Sequence, residues 1–294
     1  MLDLSQKVNP ILDKIEPLNS DQCYISEDIV LKKMKKILIQ IYEIQTPQEA
    51  EAVMDMGVDH IGSVLLSQQD WKSMEIKNTI NAVRERGAVS SLIPLFNDAD
   101  TVIQTLKYYQ PDIVHFCEML VETKNKEAFG YDSNFLIHLT DLQAGIRQQF
   151  PGIKIMRSIP IASSGYSQKV PSLELAEIFE PVSDLFLTDT LLLSDMNKAD
   201  QPVKGFVGIT GKTCDWDMAS NLVESSTLPV VLAGGISPEN AYEAILKVKP
   251  TGVDSCTLTN FKNPHGVPVR FKKDPEKVKK FVTEVRKAEK TLGF

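Results

Sequence analysis

Eight short apolar runs rich in β-branched residues, separated by segments with helical chemistry, constrain the fold of this chain more than any other feature. They span Ile37 to Tyr42, His60 to Leu65, Ser91 to Phe96, Ile113 to Cys117, Ile153 to Ser158, Leu185 to Asp189, Val230 to Ala233 and Val253 to Cys256. The runs are apolar nearly throughout instead of strictly alternating, as expected of parallel strands buried on both faces. Between the first two, Thr46-Pro47-Gln48-Glu49 reads as an N-cap, a proline in the first turn and a capping-box glutamate, with a stop at Gly57. Ser237-Pro238-Glu239-Asn240 and Asp274-Pro275 open two further helices, with inward stripes at Ala241, Ala244, Ile245, Val248 and at Val278, Phe281, Val282, Val285. The lysines of the last helix then form a solvated face.

Eight strand-helix units after Lys36 point to the α/β class and to a single (β/α)8 TIM barrel over residues 37–294, since an open doubly wound sheet more often uses about five to seven strands. Residues 1–36 fall outside that count and read as an N-terminal helical extension, with helical patterns at Ile11 to Ile15 and Ile29 to Met34. A net charge of −7 leaves no basic surface for a phosphate backbone, so no nucleic-acid partner is expected and small molecules are the expected ligands. The start MLDLSQKVNP lacks the cationic and apolar regions of a signal peptide, and no run approaches 18 apolar residues; the expectation is a cytoplasmic protein with no membrane partner. Cys23, Cys117, Cys214 and Cys256 are far apart and read as free thiols, His60 and His138 have no ligand-spaced partners and His115-x-Cys117-Glu118 alone is a weak metal signal, so no metal and no cofactor are expected.

The candidate chemistry lies mostly in the second half. Gly234 and Gly235 end the seventh run and lead to a helix start, which leaves backbone amides unobstructed for an anion, where barrels commonly bind phosphate. GKT at Gly211 to Thr213 is not a nucleotide P-loop, because the first glycine of that motif would fall on Phe206. GITGKTCDW (Gly208 to Trp216), VVLAGGISPENAYEAI (Val230 to Ile245) and VDSCT (Val253 to Thr257), in this order after the LTDT around Asp189, resemble the phosphoribosylanthranilate isomerase family of tryptophan biosynthesis. The resemblance implies a barrel isomerase acting on a small phosphorylated substrate by an Amadori rearrangement of an aminoaldose to an aminoketose, as a monomer or homodimer. It makes Asp189 the general acid that opens the sugar ring. It also implies substrate or phosphate binding at Gly208, Gly211, Lys212, Gly234, Gly235, Asp254 and Thr257.

Other positions depart from the family. The cysteine base of its KICGIT-like first strand aligns with Tyr42, whose reference pKa near 10 leaves only about one molecule in a thousand as phenolate at neutral pH. The arginine expected after the second strand to hold a carboxylate is replaced by the segment Ser67 to Lys72, and the strand-eight glycine by Leu258. His115 and Cys117 stand two apart on one strand face and are candidates for the missing base or nucleophile, against a hydrogen-bonded barrel histidine beside a buried thiol. Arg157, at a family lysine position, is a candidate anion receptor. The competing readings are therefore the family's isomerisation with a substituted base, a paralogue with lyase or hydrolase chemistry through His115, Cys117 and Glu118, and a non-catalytic ligand-binding barrel.

Overall fold

The structure, a computed structural model, describes residues 36–123, 129–192 and 203–294. The expected N-terminal helical extension lies outside them. Strand and helix alternate eight times: β1 Leu38–Ile41, α1 Pro47–Asp55, β2 His60–Leu65, α2 Met74–Glu85, β3 Val89–Pro94, α3 Ala99–Tyr109, β4 Ile113–Phe116, α4 Ser133–Gln149, β5 Lys154–Ala162, α5 Ser172–Phe179, β6 Leu185–Leu191, α6 Trp216–Ser225, β7 Val230–Leu232, α7 Ala241–Val248, β8 Gly252–Ser255 and α8 Pro275–Leu292. Each strand pairs in parallel with its predecessor, and β1 closes the barrel against β8 through Leu38 opposite Gly252. All eight expected strands are present, so the (β/α)8 barrel stands.

Alternation along the strands sorts the core into two layers. One side chain set, including Tyr42, Val64, Met156, Leu185 and Leu187, fills the barrel. The other, including Ile39, Ile41, Phe186, Val253 and Phe281, is buried against the helices.

Helix starts follow side-chain chemistry with two differences from expectation. Thr46 caps α1 by accepting from the Glu49 amide at 3.3 Å, but Glu49 does not close a capping box. Its carboxylate instead accepts from the Lys273 amide at 2.6 Å. The segment Ser237 to Asn240 forms a turn before α7: Asn240 Oδ1 accepts from the Ser237 amide at 2.8 Å and Asn240 Nδ2 donates to the Gly235 carbonyl at 2.9 Å. That turn is tied to the glycine pair, and the helix begins only at Ala241.

Two antiparallel hairpins extend the loops at the C-terminal end of the barrel, Glu122–Thr123 with Phe129–Gly130 after β4 and Asn260–Lys262 with Pro268–Lys273 after β8. No described helix is long and apolar enough to cross a membrane.

Candidate active site at the C-terminal mouth of the barrel

Strand alternation aims His115, Cys117, Asp189 and Asp254 into a cavity of about 760 Å³ at the mouth, together with Tyr42 and the glycines at 208, 211, 234 and 235. Gly235 carries a φ of +65°, and a Cβ there would stand 2.5 Å from the Lys212 carbonyl carbon, so only glycine lets the loop after β6 lie against the turn after β7. Thr190 Oγ1 donates to the same Lys212 carbonyl at 2.6 Å. Lys212 thus meets the glycine turn and Thr190 through its backbone, and it is not among the residues that line the cavity. Asp215 caps α6 and accepts from Ser167 Oγ at 2.7 Å, which fixes the far end of the GKTCDW segment.

Two carboxyls dominate the electrostatics. Burial raises Asp189 to about 7, opposed by the Thr190 amide that donates to its Oδ1 at 2.8 Å. Burial and then the charge of Asp189 raise Asp254 to about 8, opposed by Gln40, whose Nε2 donates to Asp254 Oδ1 at 3.3 Å.

The tyrosine that replaces the expected cysteine is built into the barrel. A Cβ on Gly62 would fall 2.0 Å from Tyr42 Cδ1, so the ring needs a glycine on the next strand. Its hydroxyl is 2.5 Å from Ser91 Oγ and 2.7 Å from His115 Nδ1, and His115 Nε2 is 2.8 Å from Ser158 Oγ. Burial pushes the Tyr42 phenol well above its ordinary value and, with Arg157 as a lesser cause, drops His115 to about 3. Burial also holds the Cys117 thiol well up, so it is not a thiolate near neutral pH. This geometry favours the hydrogen-bonded barrel histidine beside a buried thiol.

A histidine held neutral in the folded state, with an ordinary value near 6.5 when unfolded, makes stability fall as pH drops from about 6.5 towards 3, because the unfolded chain binds the extra proton there. Replacing His115 by Gln should therefore remove up to about 1.4 kcal/mol of that loss per pH unit in this window, read as the difference between the two proteins' stability-pH curves from denaturant melts. An unchanged difference across the window would place the imidazole in contact with water.

Arg157 corrects the sequence expectation. β5 runs on to Ala162, so Arg157 is mid-strand and outward, between the inward Met156 and Ser158. It pairs with Glu118, donates through Nε to Gln143 Oε1 at 2.7 Å and lies 5.3 Å and 4.5 Å from the Phe116 and Phe179 rings. It is fully buried behind the barrel wall and does not line the cavity, so it is not an anion receptor. Glu118 is turned to the same outer layer, and His115, Cys117 and Glu118 do not form one constellation.

Leu258 likewise causes no backbone strain. It sits in a 3-10 turn at Thr257–Thr259 and is absent from the described non-glycine residues with positive φ. Thr257 lines the cavity, and its Oγ1 is buried without a hydrogen-bond partner.

Sequence reasoning passed over Glu43, which follows Tyr42 at the glycine of the KICGIT-like pattern. It keeps a φ of +65°, is fully buried and lines the cavity. Its carboxylate accepts from Arg270 Nε at 2.5 Å and Asn260 Nδ2 at 3.2 Å, both from the hairpin after β8. A glutamate at a glycine position was the available signal.

Comparison with known proteins gives the cavity a family context. Residues 153–284 match the family described as N-(5'phosphoribosyl)anthranilate (PRA) isomerase. The chain is 27% identical to the N-(5'-phosphoribosyl)anthranilate isomerase of Methanosarcina acetivorans over 85% of its length and 94% of that protein. It is 35% identical to the second such isomerase of Methanosarcina mazei over 47% of its length and 51% of that protein. The N-(5'-phosphoribosyl)anthranilate isomerase structure from Pyrococcus furiosus superposes with a TM-score of 0.55 at 18% identity, covering 85% of this chain and 99% of that one, a likeness of fold.

Proposed function

We propose that this chain, a divergent relative of the phosphoribosylanthranilate isomerases, catalyses their Amadori rearrangement with a pair of carboxyls in place of a cysteine base. The observation that carries the reading is the pair itself: Asp189 and Asp254 face one cavity and are raised to about 7 and about 8 by burial. Near neutral pH the pair readily carries one proton, and a one-proton pair supplies an acid and a base at once.

Asp189 gives its proton to the ring oxygen as the bond from that oxygen to C1 breaks, leaving a protonated imine. Asp254, ionised in the minority form of the one-proton pair that leaves the proton on Asp189, takes the proton from C2, and the C2–H bonding pair becomes the C1–C2 double bond of an enolamine; the majority form carries the proton on Asp254, the higher of the two. Protonation at C1, with loss of the hydroxyl proton at C2, gives the aminoketose, so no atom is gained or lost. Tyr42, His115 and Cys117 form the floor on this reading, since none is poised to exchange protons near pH 7. Substrate phosphate is held by the glycine turn after β7, the Gly208 to Gly211 segment and Thr257, and the unpartnered Thr257 hydroxyl is the supporting feature.

The direct test incubates the purified protein with phosphoribosylanthranilate and separates the isomeric product. Turnover with a rate maximum between about pH 7 and 8 is expected, and no turnover at any pH would remove the reading. The phosphate subsite has its own test. Thr257→Val keeps the shape and removes one donor, so the thermal stabilisation given by inorganic phosphate should need about tenfold more ligand. An unchanged phosphate titration would take Thr257 out of the subsite.

A further inference from the structure

The cavity carries three carboxyl groups, on Glu43, Asp189 and Asp254, and no lysine or arginine among its described lining residues. A substrate of the proposed reaction brings a phosphate and an aromatic carboxylate into that acidic setting. Lys72, in the loop after β2, does not line the cavity; its ammonium lies 5.0 Å from the Trp71 ring centroid and 5.7 Å from that of Tyr108. Lys273 is already engaged, with Nζ donating to the Cys256 carbonyl at 2.9 Å and to Asn260 Oδ1 at 2.5 Å.

Arg270 does not line the cavity either and its side chain is 35% exposed, but it is anchored to Glu43, a residue that does line it. Its Nε is held by Glu43, its guanidinium lies 4.7 Å from the Phe271 ring centroid, and its Nη2 is buried without a hydrogen-bond partner. A buried donor of a charged group left unpaired is costly, and an ionised oxygen is its strongest partner. Both flanking residues adopt the left-handed backbone, Glu43 at φ +65° and Phe271 at φ +59°, conformations that side chains other than glycine rarely take and that concentrate at functional sites. Phe271 also packs against the apolar cluster inside the barrel, so the hairpin after β8 brings a cation and an aromatic ring together beside a cavity-lining residue.

We infer that Arg270, oriented by Glu43, receives the aromatic carboxylate of the substrate, so that the hairpin after β8 sets specificity in place of the loop after β2. The inference rests on the isomerase reading above. Holding Nε on Glu43 fixes the guanidinium plane, and the remaining donors present a fork that a lysine cannot reproduce. Glu43 acts here as a positioning residue.

The test measures calorimetric affinities for 1-(2-carboxyphenylamino)-1-deoxyribulose 5-phosphate and its phenylamino counterpart, which lacks only the carboxyl. The parent protein should prefer the carboxylated ligand at least tenfold, Arg270→Gln should reduce the preference to about threefold or less, and both proteins should bind the counterpart equally. Arg270→Lys keeps the charge and should lose most of the preference; it decides the matter if the glutamine variant does not fold. A preference that survives in both variants, or is absent from the parent protein, overturns the assignment of Arg270 and leaves the isomerase reading standing on turnover. Binding of neither ligand more tightly than inorganic phosphate, together with no turnover, overturns both.

Discussion

Asp189→Asn should turn over at one-hundredth to one ten-thousandth of the parent rate, the usual range for loss of one acid or base, while melting at a higher temperature at pH 8. The asparagine keeps shape and hydrogen-bonding reach but has no proton to give the ring oxygen. The stability change follows from the raised pKa. With a folded value of about 7 against an ordinary 3.8, the folded chain holds a proton that the unfolded chain has lost, so stability falls as pH rises through that window. The variant escapes the fall. Its advantage should be absent at pH 4 and reach a few kcal/mol at pH 8, with about 4 kcal/mol as the ceiling for a shift of this size. Steady-state rates and paired melts at the two pH values check it. A variant with undiminished turnover, or one destabilised at pH 8, would make Asp189 part of the scaffold.

Arg157→Met should lose about 3–5 kcal/mol of stability, because it leaves the Glu118 carboxylate buried without its cation. Gln143 Oε1 loses its donors as well. Adding Glu118→Leu removes the stranded charge and should recover most of the loss, since two apolar side chains of similar volume commonly replace a buried pair at little net cost. Urea midpoints of the two single variants and the double variant settle the matter. The affinity of any folded fraction for inorganic phosphate should stay at the parent value, because Arg157 lies behind the wall and not in the cavity.

The barrel was legible because βα repetition is written along the whole chain, in apolar runs and helix caps that act locally. Strand ends were less so. Pro160 reads as a break, yet β5 continues through it: past Arg157 the strand pairs with β6 alone, and an unpaired edge tolerates a residue without an amide hydrogen. The same extension turned Arg157 from an expected strand-end receptor into an outward mid-strand residue. Within the site, the glycine turn and Asp189 announced themselves by motif. The fit of Tyr42 against Gly62, Ser91 and His115, and through His115 to Ser158, did not, because this network joins four strands besides its own segment and no short pattern spans them. Glu43 and Arg270 are 227 residues apart and meet only when the barrel is closed.

Closure of β1 against β8 also shapes how the chain is born. The backbone partner of Leu38 is Gly252, more than two hundred residues later. At translation speeds of about 5–20 residues per second, the apolar edge Leu38 to Ile41 emerges on the order of 10–40 s before the segment that satisfies its outer amides and carbonyls. Until then the nascent barrel is an open sheet with an adhesive margin, and its safe completion depends on how long that margin is shielded from other chains on the same messenger.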